Sequence, residues 1–244
     1  MVQNSNVQKQ FATRAKTYNQ SANWITSPDL IAAHLELAGP PNGKGIELCC
    51  GTGVNGKALT AAGWNITGVD LTMEMLGEVN DVFPVIQGDV IALPFEDNSF
   101  DMAILRQALF LFDSLAGLKE IRRVLKKEGT FIISQTVPFS HADEPWLKHI
   151  HEVKQAQLLN FYNATDIERL LISAGFNVNE MKMLAVRESI THWMKYAPEQ
   201  SEEMQRKICD LVANAPEEYK QARNVKVVNG EVFEDWNWVI FKAD

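Results

Sequence analysis

Residues 45–56 read Gly45-Ile46-Glu47-Leu48-Cys49-Cys50-Gly51-Thr52-Gly53-Val54-Asn55-Gly56. A short apolar lead-in carries one acid, passes into a turn of small residues and runs on into residues that open a helix. Gly51 and Gly53 can take backbone angles that a Cβ resists, which lets a ligand lie against the main chain. A helix starting near Val54 or Asn55 aims its unpaired N–H groups at whatever sits there. Gly51, Gly53 and Gly56 also satisfy G-x-G-x-x-G, the dinucleotide fingerprint. A glycine-rich turn serves equally well as a plain tight connection, so the rest of the chain decides between the two.

Outward from this turn, strand-like runs alternate with helix-like segments. The runs are Gly45 to Cys49, Asn65 to Val69, Val82 to Gln87, Phe100 to Leu105 and Thr130 to Gln135. That alternation predicts an α/β fold of right-handed βαβ units on a mainly parallel sheet. Successive strands end on polar residues: Glu47, then Asp70, then Asp89, then Arg106 and Gln107. Ligands of open α/β sheets bind beyond the carboxyl ends of the strands, so these residues are expected to converge on one crevice. Asp70 follows Gly51 by about 20 residues, the spacing at which an acid reaches the ribose hydroxyls of a nucleotide. Its plainer role is to cap a helix near Thr72, and the two are compatible. Asp89 is read either as an acceptor for an adenine amino group or as a turn aspartate.

Bulk properties narrow the classes. The chain has 244 residues, 46% of them hydrophobic and 22% charged, which suits one globular α/β domain. The formal charge of −8 speaks against a nucleic-acid partner, which calls for a basic face. No apolar run approaches the roughly 20 residues of a membrane span, and Met1 to Gln10 are polar, so a cytoplasmic protein is expected. Cys49, Cys50 and Cys209 have no zinc-ligand spacing, and no metal site is expected.

Four segments carry a resemblance to a known family. They are Glu47-Leu48-Cys49-Cys50-Gly51-Thr52-Gly53, Gly68-Val69-Asp70-Leu71-Thr72-Met73-Glu74-Met75-Leu76, Gly88-Asp89-Val90, and Leu93-Pro94-Phe95-Glu96-Asp97-Asn98-Ser99-Phe100-Asp101. Together they resemble the class I S-adenosylmethionine-dependent methyltransferases, most of all the ubiquinone and menaquinone group. The passage from Leu118 to Thr130 fits as well. The resemblance implies a Rossmann-like sheet with an antiparallel C-terminal strand and helical cap insertions. It also implies roles. Glu47 and the glycine turn (Gly51, Gly53) hold the methionine end of S-adenosyl-L-methionine, Asp70 takes the ribose hydroxyls with Leu71 against the adenine, Asp89 and Val90 address the adenine, and Arg106 lies beside the ligand. Tyr18, in the run Phe11-x-x-Arg14-Ala15-x-x-Tyr18, closes over the cofactor. Cys49 replaces the family's first glycine and narrows the space beside the methionyl group.

A nicotinamide-dependent dehydrogenase is the fold-level alternative. Glu47 argues against it, because that fingerprint's strand runs apolar up to its first glycine. A non-catalytic cofactor-binding scaffold or partner subunit is the other alternative.

The chain divides into an N-terminal helical lid over 1–40, a cofactor-binding core over 44–136 and two substrate-cap insertions, 138–162 and 190–223. A helix is expected over Asn4 to Asn19, and another starting at Ser27-Pro28-Asp29 with His34 on its apolar face as a structural residue. Beyond Gln135 the expectations are a helix from Glu144 to Leu159, a helix from Asn163 to Ala174, a strand from Phe176 to Val186, and helices over Ile190 to Arg223 broken at Pro198 and Pro216. Asn224 to Phe241 is expected to form a hairpin around Asn229-Gly230. The insertions offer acceptor-pocket candidates: His192 as a catalytic group, with His141, Tyr162 and Trp193 joining Gln107 on the substrate side. His149, His151 and Tyr196 are read chiefly as surface or core residues. The 12 Phe and 6 Trp suit an aromatic or apolar small-molecule acceptor.

Overall fold

A computed structural model describes residues 2–79, 81–154, 160–197 and 200–244, the side chains of residues 2–5 excepted. Among these residues, eight strands join one sheet: β1 (Lys44–Leu48), β2 (Asn65–Asp70), β3 (Val85–Gln87), β4 (Phe100–Arg106), β5 (Leu125–Val137), β6 (Val178–Ser189), β7 (Lys226–Val228) and β8 (Glu231–Ala243). Their order is β3-β2-β1-β4-β5-β8-β6, with β7 paired to β8 alone. From β3 to β5 every pairing is parallel; β8 runs antiparallel to both β5 and β6. The chain builds outward from β1 in one direction to β3 and then in the other from β4. The ends of β1 and β4 therefore flank the point where strand order reverses.

Burial explains why these runs are strands. In β4, Met102 and Ile104 face one apolar cluster while Ala103 and Leu105 face another, so the strand is covered on both sides and reads as continuously apolar. The helix Pro28–Ala38 closes the first face with Leu30 and Leu37. Ser27 Oγ accepts from Leu30 N at its start, and Pro28 is its first residue. The helix Ser114–Val124 closes the second face with Leu118, Ile121 and Val124, capped by the Asp113 carboxylate accepting from Ala116 N.

Several expected boundaries move for local reasons. The first helix stops at Arg14 and continues as a tighter 3-10 turn over Ala15–Gln20. Thr13 and Thr17 hydroxyls donate to the carbonyls of Gln10 and Arg14 there, competing with the helical ladder. The third strand keeps only Val85–Gln87, since Pro84 has no N–H to give. β5 begins early at Leu125, because Phe100 pairs with Leu125 before an irregularity resets the register at Met102 and Thr130. The strand expected from Phe176 is β6, and the helix from Asn163 is Ala164–Ser173 with an Asn163/Asp166 capping box. The hairpin forms around Asn229 and Gly230, whose φ angles of 52° and 83° suit a two-residue type I′ turn. The helix expected from Glu144 is described through Lys154; its remainder, 155–159, and the break at Pro198 lie outside the described residues.

Candidate functional site

The turn after β1 is tied down by its own backbone. Cys50 N donates to Val69 O on β2, and Gly53 N donates to Cys50 O. Cys49, Gly51 and Gly53 all have positive φ, at 49°, 54° and 72°. For Cys49 this left-handed conformation costs about 1 kcal/mol, because its Cβ crowds the carbonyl. The three fingerprint glycines do different work. A Cβ on Gly51 would meet only the Tyr18 ring at 3.9 Å, so the main chain there is open to a ligand. A Cβ on Gly53 would strike Phe83, and one on Gly56 would strike both Phe83 and the Glu47 carboxylate. These two serve packing, and Gly53 does not line the cleft.

Asp70 closes β2 and binds the turn. Its Oδ2 accepts from Gly51 N at 2.8 Å and its Oδ1 from Thr72 N at 2.9 Å. Burial raises its pKa, while those N–H groups pull it down. One carboxylate thus fixes the glycine turn and the start of the helix Met73–Gly77, and each oxygen keeps acceptor capacity for a further donor. Glu47 is placed differently from expectation. It is 4% exposed, points behind the turn and accepts from Gly56 N at 2.8 Å. Burial raises its pKa to about 7, against the pull of Arg106 and the Gly56 N–H. Glu47 does not line the cleft; it holds the N-terminus of the helix Val54–Ala61.

Arg106 ends β4 with its guanidinium 5.2 Å from the Trp24 ring centre and Nη1 donating to Ile25 O at 3.0 Å. Desolvation lowers its pKa, while Glu47 and Tyr18 raise it. The cleft encloses about 750 Å³ free of protein atoms, its solvent side included. Of the strand-end residues, Asp70, Asp89, Arg106 and Gln107 line it and Glu47 does not; Tyr18, Cys49, Gly51, Leu71 and Val90 line it as well. Phe11 and Tyr18 reach it from the N-terminal segment, their rings 6.2 Å apart and edge-on. The sequence reading passed over Leu111 and Phe112, which come from a short turn after β4. Their only signal is the apolar run Ala108 to Phe112 directly behind a polar strand end. Asp70 and Asp89 on one rim, Arg106 on the other and apolar side chains between them suit a ligand with polar ends and a flat middle. Among the described residues no three His, Cys, Asp or Glu side chains gather as a cation site.

The expected acceptor-side residues separate. Gln107 lines the cleft with φ of 53°, and its amide is held by Thr136 and Gln135. Tyr162 lines an adjoining cavity, its hydroxyl 2.7 Å from that of Ser114. Three expectations are corrected. His141 has a 98% exposed side chain and pairs with Glu144. Trp193 packs edge-on against Trp236 beside another internal cavity, with the Lys154 ammonium 4.1 Å from its ring centre. His192 places Nε2 2.6 Å from Gln20 O and does not line the cleft; it ties the N-terminal segment to the helix Ile190–Lys195. His192 and Trp193 are drawn away by partners remote in sequence, and His141 by a neighbour three residues on. His34 is core, with Nε2 2.8 Å from Ser134 Oγ and burial lowering its pKa to about 3.

Comparison with known proteins adds the family. A profile described as "Methyltransferase domain" matches residues 46–133. A demethylmenaquinone methyltransferase of Staphylococcus aureus (strain JH9) is 37% identical over 164 residues, covering 54% of this chain and 67% of that protein. One from Corynebacterium kroppenstedtii is 37% identical over 107 residues, covering 43% of this chain and 46% of that protein. The chain matches less than half the length of the first three curated relatives, at 46%, 43% and 44%. Among solved structures, a candidate methyltransferase from Bacillus halodurans superposes with a TM-score of 0.78 at 20% identity, over 87% of this chain and 97% of the other. A geranyl diphosphate C-methyltransferase from Streptomyces coelicolor gives 0.58 at 14% identity, over 88% and 77%. At such identities the likeness concerns the fold.

Proposed function

Starting from the fact that the chain belongs to the methyltransferase domain family, we propose that it transfers a methyl group from S-adenosyl-L-methionine to a small-molecule acceptor. The observation that carries this reading is the open main chain at Gly51 next to Asp70, with Asp89 on the same rim. These residues fit the group. Asp70 retains lone pairs for the ribose hydroxyls, Leu71, Val90 and Met75 offer apolar walls to the adenine, and Asp89 offers an acceptor to its amino group. Arg106 and Tyr18 lie toward the methionine end, and Glu47 acts from behind by fixing the glycine turn.

The cofactor's sulfonium supplies an electrophilic methyl. The protein's task is to align the nucleophile and keep the site dry. Val7, Phe11 and Tyr18 line the cleft from the N-terminal segment, which in this reading acts as a lid. Glu188 supports it by accepting from Asn23 N at 2.9 Å and Trp24 N at 2.5 Å, and His192 by facing Gln20 O. The residues that insert after β5 and β6 supply the acceptor side. Among the described residues no helix is long and apolar enough to cross a membrane, which accords with a cytoplasmic site of action.

The curated relatives carry the name demethylmenaquinone methyltransferase, so reduced aromatic quinones head the acceptor panel. The test is mass spectrometry of products formed with a cofactor bearing a trideuterated methyl. A product carrying that label supports enzymatic transfer; a protein that binds the cofactor and labels no acceptor in a broad panel points to a scaffold instead.

A further inference from the structure

Arg106 is the one cation among the described residues that line the cofactor cleft. A guanidinium carries five N–H donors, and the protein engages one of them here: Nη1 donates to Ile25 O at 3.0 Å, with the Trp24 ring beside the group. Among the described residues no carboxylate comes within ion-pair distance of it. Glu47, the acid whose charge acts on it most, is turned to Gly56 N, and burial raises the Glu47 pKa to about 7. At neutral pH Glu47 is therefore only part of a counter-charge. Asp70 and Asp89 stand on the other rim, accepting from Gly51 and Thr72 and from Ile91.

Tyr18 is in the same condition. Its hydroxyl makes no hydrogen bond among the described residues, and burial raises its pKa, so it stays a phenol with a proton to donate. It lines the same cleft and feels the Arg106 charge. Arg14 also packs near the Tyr18 ring, 5.8 Å from its centre, but does not line the cleft. Desolvation lowers the Arg106 pKa, the sign of a cation stripped of part of its water. Such a group calls for an anion, and its planar fork matches the two oxygens of a carboxylate. One cation balances one negative charge, which favours a carboxylate over a doubly charged phosphate. A sulfonium brought into this cleft is repelled by Arg106 until a negative group neutralises it.

We propose that Arg106, together with the Tyr18 hydroxyl, receives a carboxylate in the cleft. Two sources carry one: the methionyl group of the cofactor, or an acid group on the acceptor. The inference rests on the methyl-transfer reading, because that reading places the cofactor in this cleft.

The experiment titrates the full chain by calorimetry with S-adenosylhomocysteine and with its decarboxylated analogue, which keeps the amine. Benzoate and benzamide are then titrated into the S-adenosylhomocysteine complex, and both pairs are repeated with Arg106→Gln. If the cofactor supplies the carboxylate, wild type prefers S-adenosylhomocysteine to the analogue by about tenfold or more, and Arg106→Gln brings the two within about twofold. If the acceptor supplies it, wild type binds the two nucleosides alike, and its complex prefers benzoate to benzamide by about tenfold or more, a preference lost in Arg106→Gln. Either result supports the proposal and names the source. No preference in either pair, or a preference that survives Arg106→Gln, would overturn it. A merely structural hold on Ile25 O would weaken both members of a pair alike in Arg106→Gln and leave their ratio unchanged, which also overturns it. If Arg106→Gln does not fold, Tyr18→Phe decides: it should cut the same preference by about threefold or more, and an unchanged preference would sink the proposal. Failure of both nucleosides to bind the wild-type chain would instead bring down the cofactor reading beneath it.

Discussion

The sheet's two halves are held together in contrasting ways. Around the glycine turn the contacts of the two acids are short in sequence: Asp70 reaches Thr72 two residues on and Gly51 nineteen back, and Glu47 reaches Gly56 nine residues on. Between β5 and β6 several of the buried contacts are long. Arg223 bonds Asp143 eighty residues away, Asn237 bonds Pro138 at ninety-nine, and Glu188 bonds Asn23 at one hundred and sixty-five. On the proposed reading the first half holds a cofactor that serves many acceptors, and local motifs encode it. The second, proposed to enclose the acceptor, is assembled only when remote segments meet.

This contrast breaks most visibly at Arg223. Its guanidinium is 2% exposed and is shared by the Asp143 and Glu234 carboxylates, with Tyr219 donating to Glu234 at 2.7 Å. Arg223→Met leaves two buried carboxylates without their cation, a loss of about 3–5 kcal/mol by urea unfolding. If the halves are energetically separate, the folded variant still binds S-adenosylhomocysteine within about twofold of wild type. A loss below 1 kcal/mol would show that the remote network is not what holds the second half.

Asp70 tests the first half. Asp70→Ala is expected to weaken cofactor affinity by about 1.5–3 kcal/mol, tenfold to over a hundredfold. Read as a helix cap alone, Asp70→Asn would leave the ligand-free protein as stable as before. The structure changes that expectation. Two oxygens accept from two separate N–H groups, and asparagine has a single oxygen, so its amide nitrogen opposes either Gly51 N or Thr72 N. Asp70→Asn should therefore lower melting temperature without ligand as well as affinity. An unchanged melting temperature would mean that the Gly51 contact is dispensable.

Glu188 joins the halves and gives the smallest effect. Burial raises its pKa from the usual 4.5 to about 7, while the Asn23 and Trp24 N–H groups pull it down. The folded chain therefore keeps a proton that the unfolded chain has released between pH 4.5 and 7. Its contribution to stability is fully present below that window and is lost as pH rises through it. Relative to Glu188→Gln, the wild type should lose on the order of 1 kcal/mol between pH 5 and 8, read from paired thermal melts. A wild-type advantage that grows with pH would reverse the assignment.

Much of the first half was legible. A strand, a small-residue turn and an acid at the next strand's end bring Gly51 and Asp70 together by connectivity alone. The helix Pro28–Ala38 and the Asn229-Gly230 turn were legible too, because their signals lie within a few residues. Glu47 was found and its direction was not. A strand's alternating faces place it at the turn, but only Phe83 and Gly56 packing behind the turn decides that it faces inward. His192, His141 and Trp193 were chosen for chemistry, and their true partners are Gln20, Glu144 and Trp236.

The central claim is that the carboxyl ends of β1, β2 and β3 hold S-adenosylmethionine. Calorimetric titration of the purified chain with S-adenosylmethionine, S-adenosylhomocysteine and NAD tests it most directly. The account predicts saturable one-to-one binding of the first two, lost in Asp70→Ala, and no heat from NAD. Saturable NAD binding with no response to the sulfonium cofactor would contradict it.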